Sequence, residues 1–424
     1  MASRGTPETV NETQLKMRYA YIKPNNVVEE FKRVRMQWDL RLEGGPEAYV
    51  AHFLRTVENN PALLISTHFH PSTHDECICE GRIVAKSYYW YSKFLQPFGR
   101  IARKPIGTFA TRFIGSWRIL FCLLRFRPDR ILCWATSLPL WATYAASRVR
   151  STPFVYCRHN RVLFDGQPWY QQISGAVDRW IMRRADAIIV HGPYLRQQML
   201  DLGIEPKKIV EFNWNFAHLF EKSSIDRFKN NLYLPSSEVT VVLYIGRIQR
   251  SKGVFDLLEA MTPLLSQDQG LRLVYAGDGI DLDQMERRID ELALGMKVQL
   301  IGRVPHHGLA QLISGSRFVV TPTQTRFPEG RCMAAMEGLI MKKPVIAPNF
   351  GPFPYLVRDG KNGLLYEPDS ISSLRDSIDH LLRDQALYRT VCGGAAETSE
   401  ELQKPSVNFS QAMKNAFDVA CSNL

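Results

Sequence analysis

The stretch Val239-Thr-Val-Val-Leu-Tyr-Ile-Gly-Arg-Ile-Gln-Arg-Ser-Lys-Gly253 decides the fold. Apart from Thr240, residues 239–245 are apolar, the pattern of a strand covered on both faces. Gly246 ends that run, a basic loop follows, and after Gly253 a helical pattern extends to Leu265. A buried strand, a loop edged by glycines and a helix make one half of a strand–helix–strand unit. Working towards the C-terminus, strands are predicted at Leu271–Ala276, Val298–Ile301, Phe318–Thr321 and Pro344–Ala347. Helices are predicted at Leu282–Leu294, from Leu309, near Ser370–Arg383 and at Val407–Cys421. Towards the N-terminus the same alternation returns, with strands at Ile131–Thr136, Pro153–Cys157, Asp186–Val190 and Lys208–Phe212. The helices between them are Leu138–Arg148, Trp169–Arg184 and Tyr194–Leu202. Earlier still come strands at Lys16–Ile22, Ala62–Thr67 and Gly81–Lys86 and a helix at Ala48–Glu58, while residues 27–42 fit no single pattern. Alternation at this spacing implies an α/β fold of two Rossmann-like parallel-sheet domains facing across a cleft.

The expected boundaries are a disordered tail at 1–15, a first domain at 16–213, a linker at 214–238 and a second domain at 239–404. A helix at 405–424 closes the chain and can return to the first domain. With 424 residues the chain is long enough for two cores. Its net charge of +11 is uneven. Residues 1–220 hold 30 Lys and Arg against 18 Asp and Glu, whereas residues 221–424 hold 23 against 24. The first half therefore suits an anionic partner. Within it, Tyr88–Arg130 interleaves aromatic residues with nine Lys or Arg and a lone acid, Asp129. That mixture fits an anionic membrane interface, and equally a pair of core-packing helices with a basic outer face. No nucleic-acid partner is expected. The longest uncharged run, Ile131–Ser147, contains Pro139 and reads as a strand and a helix rather than a membrane span. The N-terminal residues lack the apolar core of a signal peptide, and the eight cysteines suit buried thiols in a reducing compartment. His68, His70, His74, Cys77 and Cys79 lie close in sequence, but their spacing fits no standard zinc pattern. They read as a polar loop.

Chemistry concentrates in Phe327-Pro-Glu-Gly-Arg-Cys-Met-Ala-Ala-Met-Glu-Gly338. Glu329 and Glu337 are eight positions apart, with a helix predicted from Arg331 to Met341. Eight helical residues span ~12 Å, and a helix N-terminus attracts phosphate. Alone, this pair could equally be two surface carboxylates. It gains meaning from Arg247 and Lys252, two cations on a loop that follows a strand, and from Gly277-Asp-Gly279.

In this order, these elements resemble those of the family-four retaining glycosyltransferases, which have the two-domain GT-B fold. The resemblance is strongest over Val239–Arg383, where Lys343-Pro-Val-Ile-Ala347 also matches. It is looser in the first half, where Gly44-Gly45, Arg127-Pro-Asp129, His159 and Arg184-Ala-Asp-Ala-Ile-Ile-Val190 carry it. What the resemblance implies is transfer of a hexose from a nucleotide-diphosphate sugar to a saccharide acceptor, with retention and without metal or other cofactor. Arg247, Lys252 and Gly45 are then expected at the donor diphosphate and Glu337 at the ribose. Gly330 and Arg331 offer backbone N–H groups to the donor sugar, and Glu329 and His159 are the catalytic residues. A lipid-linked acceptor in exopolysaccharide or lipopolysaccharide assembly follows from the basic first half. So does a cytoplasmic place at the inner face of the plasma membrane.

The sequence departs from the family after the Pro-Val-Ile strand. Gly351-Pro-Phe-Pro-Tyr355 has Pro352 and Tyr355 where a second Gly and an acid are usual. At the interdomain linker Asn213-Trp214 replaces Asn-Gly. Three other readings compete. A nicotinamide oxidoreductase needs G-x-G-x-x-G, which Gly277-Asp-Gly279-Ile-Asp-Leu282 fails at its third position. A glycoside hydrolase would use Glu329 and Glu337 directly. A non-catalytic GT-B scaffold would recruit a partner enzyme to the membrane without turnover.

Overall fold

The chain forms two sheets, and apolar strands flanked by amphipathic helices account for both. The computed structural model describes residues 17–23, 27–36, 46–57, 60–68, 76–89, 105–162, 169–213, 239–304, 306–404 and 406–422. The tail at 1–15, Gly44-Gly45 and the linker at 214–238 lie outside the described residues.

The first sheet contains β1 (Tyr19–Lys23), β2 (Ala62–His68), β3 (Glu76–Glu80) and β4 (Ile83–Tyr89). It continues with β5 (Arg130–Cys133), β6 (Phe154–Arg158), β7 (Ala187–His191) and β8 (Ile209–Phe212). Their order is β3-β4-β2-β1-β5-β6-β7-β8. β1 pairs in parallel with both β2 and β5, while β3 runs antiparallel to β4 at the edge. The intervening helices are α1 (Val27–Met36), α2 (Pro46–Val57), α3 (Pro105–Phe126), α4 (Leu138–Val149), α5 (Trp169–Arg184) and α6 (Pro193–Asp201).

The second sheet contains β9 (Thr240–Ile245), β10 (Leu271–Ala276), β11 (Val298–Leu300), β12 (Phe318–Val320), β13 (Val345–Pro348) and β14 (Gly363–Tyr366). Its order is β11-β10-β9-β12-β13-β14, parallel throughout. The helices are α7 (Val254–Gln267), α8 (Leu282–Glu291), α9 (His306–Gly315), α10 (Met333–Ile340), α11 (Ile371–Arg383), α12 (Gln385–Gln403) and α13 (Phe409–Ser422). α7 buries Val254, Leu257, Leu258, Met261, Leu264 and Leu265 at helical spacing against Val242, Leu273 and Phe318 of the sheet. Each such leucine contributes roughly 1.5–3 kcal/mol on burial. The strand order reverses between β9 and β12, and in such sheets ligands bind beyond the carboxyl ends of the strands at the reversal.

Several expectations need correction. Residues 27–36 form α1, whose first two N–H groups are held by Ser66 and Ser87 hydroxyls from β2 and β4. β14 and α12 were not anticipated. Glycines end the pattern of the first too soon, and a weakly segregated face hides the second. Cys77 and Cys79 lie on the edge strand β3 rather than in a loop, as exposed free thiols with Sγ atoms 3.9 Å apart. His70 and His74 are outside the described residues, and the described residues hold no group of three or more metal-ligating side chains.

By contact density the chain divides into Met1–Cys157 with Val177–Ile188 and Met413–Leu424, and Arg158–Ala176 with Ile189–Ala412. In the first unit, Phe417 of α13 meets the Tyr19 ring of β1 at 5.8 Å. α3 buries Ser116, Ile119 and Leu123 but leaves Phe113 and Trp117 47% and Phe121 64% exposed. These three follow at intervals of four, with ring centres 6.0 Å apart in a T-shaped pair and then 5.9 Å apart in a tilted one. No described helix is long and apolar enough to cross a membrane.

Lys23 closes β1 with its side chain fully buried. It is ion-paired to Glu30 of α1, and its ammonium lies 5.1 Å from the Trp134 ring centre. Removing one partner strands a buried charge. Glu30→Ala is expected to cost ~3–5 kcal/mol, and the joint replacement Lys23→Met with Glu30→Leu to restore most of it. The midpoint of urea unfolding measures both.

Candidate active site

Two loops leave the second sheet at the reversal, and their conformations are set by backbone crowding. The first follows β9. Tyr244 sends its hydroxyl to the Arg247 carbonyl at 2.7 Å, turning the chain back over the strand end. Arg250–Lys252 then make a short 3-10 turn that ends at Gly253, with φ of 71°. A Cβ there would lie 1.7 Å from the Pro322 carbonyl oxygen, so only glycine lets the two loops meet. The second loop, after β12, is pinned through Gln324, whose N–H donates to the Ser251 carbonyl at 3.1 Å. The Gln324 amide donates to Asp256 on α7. Thr325 is held by Asp369 through both its N–H and its hydroxyl.

These ties bring Arg247, Lys252, Phe327 and Glu329 together. The Lys252 ammonium is ion-paired to the Glu329 carboxylate, and both are largely buried. The same ammonium sits 4.0 Å from the centre of the Phe327 ring, and the Arg247 guanidinium carbon lies 5.3 Å from it. One aromatic ring thus carries two cations, which attract its face. Beneath them the Cys332 thiol is pushed up to about 12, by burial first and then by the Glu329 charge.

α10 begins at Met333, two residues later than expected. Cys332 is extended, with φ −85° and ψ 103°, so Glu329, Gly330 and Arg331 lie in the loop and not on the helix. The ~12 Å helical spacing between the two carboxylates therefore does not apply. Glu337 does lie on α10, on its buried side. Burial alone pushes its carboxyl up to about 8.

Gly330 is fixed by another close approach. A Cβ on it would meet the His159 carbonyl oxygen at 1.9 Å and Asn160 Cα at 3.0 Å. His159, expected in the first domain, belongs by contacts to the same unit as Gly330. The His159 ring rests edge-on against Phe212, 6.0 Å between centres. Arg331 runs to the turn between β7 and α6, where its Nη1 lies 2.0 Å from the position of a Cβ on Gly192.

Of the sequence candidates, the structure gathers Arg247, Lys252 and Glu329 into one cluster, places Glu337 beside it, and packs Gly330 on His159. Gly45 is outside the described residues. Sequence reasoning assigned no role to Phe327, Arg161 or Tyr194. Arg161 donates to the Thr325 carbonyl at 2.8 Å, stacks over Phe350 and bonds the Tyr194 hydroxyl. Tyr194 in turn packs on Tyr355, the residue standing where an acid is usual. The available signal was the basic run Arg158-His159-Asn160-Arg161, which starts on the last residue of β6.

The family model described as Glycosyltransferase Family 4 matches residues 44–211, and that described as Glycosyl transferases group 1 matches residues 226–398. An alpha-D-kanosaminyltransferase of Streptomyces kanamyceticus is 24% identical over 262 residues, 60% of this chain and 67% of that protein. A D-inositol 3-phosphate glycosyltransferase of Mycobacterium bovis is 29% identical over 246 residues, 55% of this chain but only half of that protein. Among solved structures, Anabaena HepE in complex with UDP superposes with a TM-score of 0.64 at 17% identity, covering 96% of this chain and 99% of that one. Sucrose-phosphate synthase of Thermosynechococcus elongatus gives 0.64 at 19% identity, covering 94% and 97%. The likeness to these two structures is one of fold, GT-B.

Because the Glu337 carboxyl titrates above its unfolded value, its contribution to stability is complete below about pH 4.5 and is lost as the pH rises through about 8. The loss amounts to a few kcal/mol. Glu337→Gln is expected to remove this fall, so that the variant gains on the parent between pH 5 and 8 in urea unfolding.

Proposed function

The chain belongs to the group 1, family 4 glycosyltransferases, and on that premise we propose that it moves a hexose from a nucleotide-diphosphate sugar to a saccharide acceptor with retention of configuration. The observation that carries the reading is the convergence of Arg247, Lys252 and Glu329 at the reversal point of the second sheet. A leaving diphosphate gathers negative charge, and two fixed cations stabilise it without a metal. The UDP and UDP-glucose complexes of the Anabaena protein support a donor of this class.

The ammonium of Lys252 is shared. A diphosphate competes with Glu329 for it, and the carboxylate so released faces the donor sugar, where it steadies oxocarbenium charge. Phe327 keeps Arg247 and Lys252 on one side of the site. Glu337 takes the ribose hydroxyls. The N–H groups of Gly330 and Arg331 and the His159 ring position the sugar, and the family resemblance assigns Gly45 to the diphosphate. Attack and departure on the same face of the sugar need no separate protein nucleophile. The acceptor is a lipid-linked saccharide of exopolysaccharide or lipopolysaccharide assembly, reached from an anionic membrane surface on the cytoplasmic side. The exposed Phe113–Trp117–Phe121 row and the exposed Arg118 and Arg125 of α3 support membrane contact.

A donor screen with UDP-, GDP- and ADP-sugars, with NMR of the product anomer, tests the reaction. Arg247→Ala and Lys252→Ala are expected to lower kcat/KM by roughly 10²–10³-fold. Glu329→Ala should act mainly on kcat and Glu337→Ala mainly on donor KM. Absence of turnover by the purified parent protein with every donor would favour a scaffold, full turnover in the Arg247 and Glu329 variants would refute the roles given to these residues, and an inverted product would refute retention.

Membrane contact is tested by sedimentation with vesicles. Phosphatidylglycerol vesicles should retain the protein better than phosphatidylcholine vesicles, and less so at high salt. Trp117→Ala with Phe121→Ala should weaken retention on both. Equal recovery in all conditions would refute membrane docking.

A further inference from the structure

The side chain of Arg331 has no place in the scheme above, which uses only its backbone. Its Nε donates to the Met336 sulfur at 2.9 Å. Neither terminal nitrogen meets an acceptor, and no carboxylate comes within ion-pair distance, among the described residues. Glu211 on β8 attracts it only from farther away, and burial pulls the guanidinium down to about 10, still charged at neutral pH. The neighbouring His191 is held well below the usual imidazole range, by burial first and then by Arg331 and His159, so it places no positive charge beside the guanidinium. Gly192 caps α6, and with Pro193 at the first helical position the outward N–H groups there belong to Tyr194 and Leu195. The guanidinium therefore lies at the positive end of a nine-residue helix.

A methionine or leucine would fill this space without such a cost. The packing is nevertheless specific. Gly192 has φ of 83°, and any side chain on it would displace Nη1. A glycine and a partly buried cation are matched to each other, two residues after Glu329, at the positive end of α6.

We propose that Arg331, the α6 N-terminus and His159 form a subsite for a carboxylate carried by a hexose, so that the protein selects an acidic sugar. This rests on the nucleotide-sugar reading of the site. The planar fork of a guanidinium matches a carboxylate in two parallel hydrogen bonds. The acidic sugar is either the donor hexose or the acceptor residue next to it.

Titration calorimetry on the full chain separates these sources. One arm compares UDP-glucuronate with UDP-glucose and GDP-mannuronate with GDP-mannose. The other compares methyl glucuronide with methyl glucoside in the presence of saturating UDP or GDP. The acidic member is expected to bind at least about tenfold more tightly in one arm. Arg331→Met and Gly192→Ala should each abolish that preference, and Arg331→Lys should retain part of it. Thermal unfolding of each variant establishes that it is folded, and Arg331→Lys and Gly192→Ala carry the test if Arg331→Met is not. Acidic and neutral members binding within about twofold of each other in both arms would overturn the inference. So would a preference that survives in a folded Arg331→Met or Gly192→Ala. If neither UDP nor GDP binds, the nucleotide-sugar reading falls and takes the inference with it. If one binds without sugar discrimination, only the acidic subsite falls.

Discussion

The ion pair between Lys252 and Glu329 ties the two loops that leave the second sheet at its reversal. Lys252 ends a turn that Gly253 alone can complete against Pro322, and Glu329 ends a loop anchored by Ser251, Asp256 and Asp369. Beyond the single 3-10 turn at Arg250–Lys252 neither loop has regular structure, so their mutual contacts fix where Arg247, Phe327 and Gly330 stand. The pair is largely buried, and its net effect on stability is small once desolvation is included. Its value lies in position: it holds a cation and an anion beyond the carboxyl ends of β9 and β12, where sheets of this kind bind ligands.

Charge and crowding are divided differently around the two carboxylates. Glu329 has a cation beside it, whereas burial pushes the Glu337 carboxyl up. Two acids of one sequence motif thus have different surroundings: one stands in the loop beside Lys252, and the other stays on the helix, where burial pushes its carboxyl up to about 8. That difference suits a site in which one carboxyl answers developing positive charge and the other exchanges hydrogen bonds with hydroxyls.

Much of this was legible in the residues. Apolar runs such as Val239–Ile245 announce buried parallel strands, and alternation with helices announces the layered α/β architecture. Arg247, Lys252, Glu329 and Glu337 were identifiable because their chemistry and order are unusual together. Other features were hidden for physical reasons. α1 mixes charges because Glu30 pairs with a lysine buried on a strand, which hydrophobic periodicity cannot register. The start of α10 is set by packing of Arg331 and Gly330 on residues more than a hundred positions away, and local propensity does not encode that. Arg161 looked like one more basic surface residue. Its role appears only when Thr325, Tyr194 and Phe350 are brought around it.

The return of α13 to the first strand has a consequence for biosynthesis. Phe417 packs on Tyr19 and under the Arg130 guanidinium, so part of the first unit's core is supplied by residues made after the whole second sheet. The second sheet, contiguous from Thr240 to Tyr366, can close while translation continues. The first must wait with β1 and β5 incompletely covered. During that interval the nascent chain exposes apolar surface, and the ribosome's pace, together with whatever chaperones attend it, governs the yield of folded protein.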